Sequence, residues 1–365
     1  MAGNKLERTG ANVFPNDIES ASAIEGNPAE WAVKVAEKLS PSMVVIKVYG
    51  ESKDVTDPDD PSKKQPPHSP EAGSGSGFIV SADGWIVTNR HVGYKPGMKF
   101  TAAVWTDGKL VEKKVLSYYV DPLRDIAIMK MEGSGYTPVS ISYKKIPMGL
   151  RVAALGSPLG KNRFITSGLA TPPESELPDE LLGVDDDDAR KLYSGHISTS
   201  AVIHHGNSGG GLVDAEGDVR GVNTLLEFGH GTGAIGHAIP MAELKALIEN
   251  VNSFILIQAL CDEIMNERKP EDETTGVKKL SLDKAVDKFL TETEKIVASY
   301  VPAEMRKRAL NDVLSDRSIQ YMYLKIIKNA HGRREEYENR YITLATGEAP
   351  QKTVKEVTAE TKNTA

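Results

Sequence analysis

The period of the hydrophobic positions changes twice along the chain. Trp31, Val35 and Leu39 recur every fourth residue, the spacing of one helical face. They follow a helix start signal in which Asn27 caps, Pro28 opens the first turn and Glu30 stands three residues after the cap. Beyond Ser40-Pro41 the β-branched run Val44-Val45-Ile46-Lys47-Val48-Tyr49 predicts a strand. Short apolar runs at 77–80, 85–88, 100–105, 126–131, 152–155, 212–214 and 219–224 then alternate with turn dipeptides such as Asp83-Gly84, Asp107-Gly108 and Glu216-Gly217. Many short strands with little helix between them predict an all-β sandwich or barrel. From Pro240 the spacing returns to three and four residues. It runs through Leu244, Leu247, Ile248, Val251, Phe254, Ile255, Leu260 and Ile264, and again through 282–300 and 319–330, which predicts packed helices with a linker at 269–276.

The polar stretches between these runs divide the chain. Residues 1–34 read as an N-terminal segment with a short helix from about 28, residues 35–245 as a β domain, 246–345 as a helical domain, and 346–365 as a disordered tail. Inside the β domain, 51–75 is rich in Pro, Asp, Lys and Ser and reads as a flexible surface loop. Residues 171–193 carry Glu174, Glu176, Asp179, Glu180 and Asp185 to Asp188 against only Arg190 and Lys191. Clustered carboxylates suit a hard cation, but four consecutive aspartates cannot all face one centre, so a solvated acidic loop is expected and no metal site.

Composition narrows the function classes. A chain of 365 residues with 39% hydrophobic and 26% charged residues suits a globular protein of about two domains. The 44 basic residues against 51 acidic ones give a net charge of −7, so no nucleic-acid partner is expected. Cys261 is the single cysteine, which excludes an internal disulfide and a cysteine cage for zinc or iron–sulfur. The N-terminus lacks the apolar core of a secretory signal, and no uncharged apolar run approaches the length of a membrane span. The expectation is a cytoplasmic chain with no membrane insertion and no cofactor.

Three short segments carry chemistry. Ile86-Val87-Thr88-Asn89-Arg90-His91-Val92 puts a histidine at a strand end; Asp121-Pro122-Leu123-Arg124-Asp125-Ile126-Ala127-Ile128 brings an aspartate into an apolar strand; His205-Gly206-Asn207-Ser208-Gly209-Gly210-Gly211 sets a serine among glycines before a strand. A serine hydroxyl becomes a useful nucleophile when an imidazole takes its proton, and the imidazole needs a carboxylate to fix its tautomer. Glycines around the serine free the backbone N–H groups of Gly206, Asn207 and Ser208 to face a developing oxyanion, with Gly206 and Ser208 the preferred donors. Each segment alone is a common turn or strand end. Their joint occurrence, in the order His, Asp, Ser, points to acyl transfer.

With these residues in hand, the chain resembles the HtrA (Deg) family of trypsin-like serine proteases over roughly 35–250. The resemblance rests on Gly73 to Gly77 with Phe78-Ile79-Val80, Asp83-Gly84-Trp85 leading to His91, and Asp125-Ile126-Ala127-Ile128. It continues through Leu155-Gly156-Ser157-Pro158-Leu159-Gly160, Thr166-Ser167-Gly168, Gly206-Asn207-Ser208-Gly209-Gly210, Gly221-Val222-Asn223-Thr224 and Ile235-Gly236-His237-Ala238-Ile239-Pro240. It implies a mainly β chymotrypsin-like fold, two six-stranded barrels with the active site between them, followed here by helices. It also implies His91 as general base, Asp125 as its orienting carboxylate and Ser208 as nucleophile. Val202 then stands at the base of the substrate pocket, lined further by Thr224, Leu225, Leu226 and Ile235, which implies cleavage of protein or peptide substrates after small or medium aliphatic residues. His237 replaces a bulky aromatic of the family, and His204 and His205 are also unusual, which raises a pH switch beside the plainer reading of satisfied loop histidines. No PDZ pattern follows Ala238-Ile239-Pro240, so recognition of substrate C-termini is not implied. The family's homo-oligomer is left open by Phe14 and Trp31. The rival reading is a latent protease-fold scaffold or chaperone-like adaptor acting through its helices.

Overall fold

A computed structural model describes residues 28–50, 53–56, 64–68, 71–93, 98–106, 108–157, 164–174, 195–229, 233–268 and 280–346. The N-terminal segment to Asn27, Phe14 included, the acidic stretch from 175 to 193, the expected linker at 269–276 and the tail from 347 lie outside the described residues. Helix α1 (Pro28–Leu39) forms where the four-residue spacing placed it, and buries Trp31, Val35 and Leu39. Trp31 is thus a core residue, with the Arg151 guanidinium over its ring at 6.0 Å.

Six strands close the first barrel: β1 (Met43–Tyr49), β4 (Glu71–Ile79), β5 (Trp85–Thr88), β6 (Lys99–Thr106), β7 (Lys109–Val120) and β8 (Ala127–Met131), in the order β1-β4-β5-β8-β7-β6, with every pair antiparallel. The second barrel uses β10 (Leu150–Gly156), β11 (Phe164–Glu174), β12 (His196–Thr199), β13 (Gly211–Asp214), β14 (Asp218–Gly229) and β15 (Gly233–Pro240). Its ring runs β13-β10-β11-β12-β15-β14 and closes by the β13–β14 pairing, with β9 (Ser140–Ile141) added parallel to β14.

Successive side chains on a strand face opposite ways, so a strand with packed faces on both sides is apolar at consecutive positions. Val44, Ile46, Ile79, Ile86, Met129 and Met131 fill the first barrel, and Val152, Ala154, Ile197, Leu212 and Ala238 the second. One residue out of step, Met43, Phe78, Val87, Ile128, Ala153, Leu155 and Val213 join a third core shared with the helices. This double burial is why the strand segments read as continuous hydrophobic runs.

Two segments depart from the sequence reading. Part of the loop expected at 51–75 is regular: β2 (Lys53–Thr56) pairs with β3 (Lys64–His68), and β4 already begins at Glu71. The polar Gly-Ser sequence of β4 hid a strand that is held by its register with β1, from Val48↔Gly73 to Met43↔Phe78. Strand β7 was missed because most of its side chains face solvent and its charges mask the period; β6 and β8 fix it from either side.

The helices after Pro240 are α3 (Lys245–Glu249), α4 (Val251–Glu267), α5 (Leu282–Tyr300), α6 (Arg306–Ser315), α7 (Arg317–Ile327) and α8 (Arg334–Thr346), with α2 (Arg90–Gly93) a single turn after β5. The apolar stripe from Leu244 to Ile264 is broken at Asn250, where Met241–Glu249 and Val251–Glu267 meet at 84°. No single described helix is long and apolar enough to cross a membrane. Phe254, Ile257, Ile264, Val286, Phe289, Val313, Ile319, Tyr323 and Ile327 extend the third core from the barrels through the helices. Phe254 meets Tyr119 of β7 edge-on at 5.7 Å, an aromatic pair contributing about 1 kcal/mol beyond its buried area. The Gln258 amide donates to the Val120 carbonyl at 2.8 Å. The helical region is therefore a layer on the first barrel, sharing its core.

Candidate active site

The three candidate residues emerge where the barrels meet. His91 lies in α2, directly after β5; Asp125 lies in the connection between β7 and β8; Ser208 lies in the turn that leads into β13. The Asp125 carboxylate accepts twice from His91, from its backbone N–H at 2.9 Å and from ring Nδ1 at 2.6 Å. A carboxylate only accepts, so Nδ1 is the donor of this pair. The Asp125 carbonyl is held in turn by the Asn89 side-chain amide at 2.8 Å.

Ser76 of β4 fastens the serine turn to the first barrel. Its N–H donates to the Ser208 carbonyl at 2.9 Å and its hydroxyl to the Gly206 carbonyl at 2.5 Å. Its hydroxyl also accepts from the Ser157 N–H at 2.8 Å, and its carbonyl accepts from the Thr88 hydroxyl at 2.7 Å. Gly209 sits so close to this strand that a Cβ there would lie 2.1 Å from the Ser76 carbonyl oxygen and 3.0 Å from the Asn89 nitrogen. The residue after the serine thus touches the backbone two residues before the histidine. The Ser208 hydroxyl itself makes no hydrogen bond among the described residues.

The turn His204-His205-Gly206-Asn207 closes with the Asn207 N–H donating to the His204 carbonyl at 2.9 Å. Gly206, at its third position, has φ +99°, which a type II turn demands and a side chain resists. Of the three amides expected to face an oxyanion, that of Asn207 is engaged in closing this turn. Asn207 is fully buried against Gly156. The N–H groups of Gly206 and Ser208 make no hydrogen bond among the described residues.

Of the expected pocket residues, Val202 and Ile235 are 37% and 43% exposed, and the 201–203 segment crosses Gly236, next to Ile235. Leu225 and Leu226 are half-buried on β14 opposite His237 and Gly236. Thr224 is buried, accepts from the Asn89 amide at 3.0 Å and donates to the Val222 carbonyl at 2.9 Å.

His204 and His205 are exposed at the surface. His237 is buried between the Glu227 carboxylate at 3.0 Å and the Ser198 hydroxyl at 3.3 Å. The sequence reading passed over His196, whose buried ring stands edge-on to His237 at 6.5 Å. Burial, then the neighbouring His237, lower its pKa to about 4 against an opposite pull from Asp125. A base whose pKa falls on folding adds stability above its unfolded pKa and loses it as acid reaches the folded value. Between 6.5 and about 4 that amounts to about 3 kcal/mol. Unfolding free energies measured from pH 7 to pH 4.5 are expected to fall less steeply for His196→Gln than for the wild type; equal slopes would contradict the assignment.

Also missed was the bracing of the Asp125 turn. Asp121, fully buried, accepts through Oδ1 from the Leu123 and Arg124 N–H groups at 2.9 and 2.8 Å. The buried Arg124 guanidinium binds Asp121 Oδ2 through Nε and an NH2 group at 2.9 and 2.6 Å, and Asp316 at 3.0 Å. Burial pushes the Asp316 carboxyl up to about 6 against the pull of Arg124. Among the described residues no group of His, Cys, Asp and Glu is arranged to hold a metal ion.

Residues 75–222 match the trypsin-like peptidase domain. The chain is 34% identical over 218 residues to "Serine protease HTRA4" of Mus musculus, covering 59% of this chain and 40% of that protein. It is 30% identical over 195 residues to "Probable periplasmic serine endoprotease DegP-like" of Brucella suis, covering 52% and 35%. A solved structure, "Crystal structure of the serine endoprotease from Yersinia pestis", aligns at 25% identity over 61% of this chain and 67% of its own, with a TM-score of 0.44. The chain thus spans about two fifths of the length of the curated relatives it matches. With two closed antiparallel barrels and this match, residues 75–222 carry a trypsin-like peptidase domain, and the chain is similar over about half its length to serine proteases of the HtrA and DegP type.

Proposed function

We propose that this chain is a serine endopeptidase acting on extended protein or peptide segments through Ser208, His91 and Asp125. The observation that carries the proposal is the paired hydrogen bond from His91 to Asp125 beside a serine turn pinned onto the same strand end. Ser208 Oγ attacks the peptide carbonyl carbon as its proton passes to His91 Nε2. The oxyanion is stabilised by the Gly206 and Ser208 N–H groups, a contribution of about 3 kcal/mol per donor in a comparable site. Collapse expels the amine, which takes the proton from His91 and leaves an acyl-enzyme. Water, giving its proton to the same nitrogen, hydrolyses the ester and restores Ser208. Asp125 stabilises the imidazolium throughout without taking the proton.

Val202, Leu225, Leu226 and Ile235 offer only apolar side chains to the residue before the cut, so small or medium aliphatic residues are the preferred class. Labelling of the full chain with a fluorophosphonate probe, paired with mass spectrometry of the new termini in a digested proteome, tests both parts. Labelling at Ser208 and termini after Val, Ala, Ile or Leu are expected. A profile led by Lys or Arg would overturn the pocket assignment. The free Ser208 hydroxyl supports a second reading, a latent scaffold or chaperone-like adaptor, and absence of labelling would favour it.

A further inference from the structure

The turn that carries Asp125 is tied to the helical layer, not to its own barrel alone. Asp121 caps it from within, and the Asp121 N–H donates to the Ile126 carbonyl at 2.9 Å. From α7, the Ser318 hydroxyl donates to Asp121 Oδ1 at 2.6 Å, across 197 residues of chain. Asp316, the N-cap of α7, accepts from the Ser318 N–H and from Arg124, the residue immediately before Asp125. Arg124 also donates to the Glu243 carbonyl, just before α3. Arg124, Asp121, Asp316 and Ser318 are each at most 7% exposed. One guanidinium therefore holds two carboxylates and a carbonyl drawn from the turn, the α6–α7 junction and the entry to α3. Its planar fork fixes direction as well as distance.

We propose that the helical layer is a positioning element of the active site: Asp316 locks Arg124, and through the Asp121-capped turn Arg124 sets the orientation of the Asp125 carboxylate toward His91. This rests on the protease reading of Asp125 and His91. Asp316 and Arg124 are positioning residues, since neither touches the reacting atoms. A carboxylate swung a few tenths of an ångström off the imidazole loses transition-state stabilisation while leaving the substrate pocket alone. The expected signature is a fall in kcat with KM held.

The test uses the full chain carrying Asp316→Asn, which keeps the oxygen shared by Ser318 and Arg124 but removes the charge and turns the second oxygen facing Arg124 into a donor, and separately Arg124→Lys, which keeps the charge but loses the fork. Two quantities are read: steady-state kinetics on an aliphatic-P1 peptide, and the chemical shift of the His91 Nδ1 proton, which needs no turnover. Each variant is expected to lower kcat about ten-fold, to leave KM within two-fold and to shift the proton. The double variant should lose less than the product of the two, because both cut one bridge. Unchanged kcat and proton shift in folded variants would overturn the proposal, even with a lowered Tm. A shifted proton in a chain that hydrolyses nothing would uphold the bridge and sink the protease reading instead.

Discussion

Ser208→Ala is expected to lower kcat by about six orders of magnitude, equivalent to about 8 kcal/mol, the loss measured for the nucleophile of a comparable triad. His91→Ala should cost about as much, and the double variant scarcely more, because in the proposed mechanism hydroxyl and imidazole act in one proton transfer and removing either ends it. The activity that remains should still exceed the uncatalysed rate by about three orders of magnitude, since the Gly206 and Ser208 amides and the pocket are untouched. Stopped assays on a peptide with an aliphatic residue at P1 measure all three variants. If the two single losses multiply in the double variant, serine and histidine act independently and the acyl-transfer reading fails.

Gly209→Ala is expected to cost the next largest share of activity, by geometry alone. Gly209 has φ +83°, where an L-residue is strained by about 1–2 kcal/mol. Its new Cβ would also stand 2.1 Å from the Ser76 carbonyl oxygen and 2.4 Å from the Thr88 hydroxyl. Neither neighbour is the loose end of a long side chain; one is the backbone of a barrel strand and the other is bonded to it. Relief requires the serine turn to lift away from β4, breaking the Ser76 hydrogen bonds to Gly206 and Ser208 and carrying the nucleophile with it. A stability loss of about 2–5 kcal/mol is expected from strain and overpacking together, with kcat/KM down about a thousand-fold or more. Gly108→Ala is the control: it has φ +74° with nothing within 4 Å, so it should lose only the conformational part. Calorimetry and peptide hydrolysis on both variants separate strain from collision. Gly209→Ala with wild-type kcat/KM would mean that the close approach to β4 does not place Ser208.

What the amino-acid sequence disclosed was local in origin. His91, Asp125 and Ser208 stand out because each lies at the edge of a strand beside residues that mark a turn, and the helix of Trp31, Val35 and Leu39 stands out by its spacing. What stayed hidden depends on partners far along the chain. Ser76 lies between two glycines like any loop serine, yet it meets Gly206, 130 residues on. Arg124 resembles a surface turn residue, and only the fold brings Asp316 to it, 192 residues away. The occupation of the Asn207 amide was hidden one turn away: a motif shows three adjacent amides, but only closure of the turn on His204 reveals which one is engaged. The Leu244–Ile264 stripe kept its period through Asn250, so periodicity could not register the bend there.

The core that runs unbroken from α1 through both barrels to Tyr341 of α8 has a consequence for how the molecule can be cut. A cut that removed the C-terminal third is not expected to leave a smaller stable fold. It would strip Phe254, Ile257 and Leu260 from the outer wall of a barrel and leave that wall greasy and prone to aggregation. The helices behind the barrels are thus part of the wall they cover, not an appendage to it.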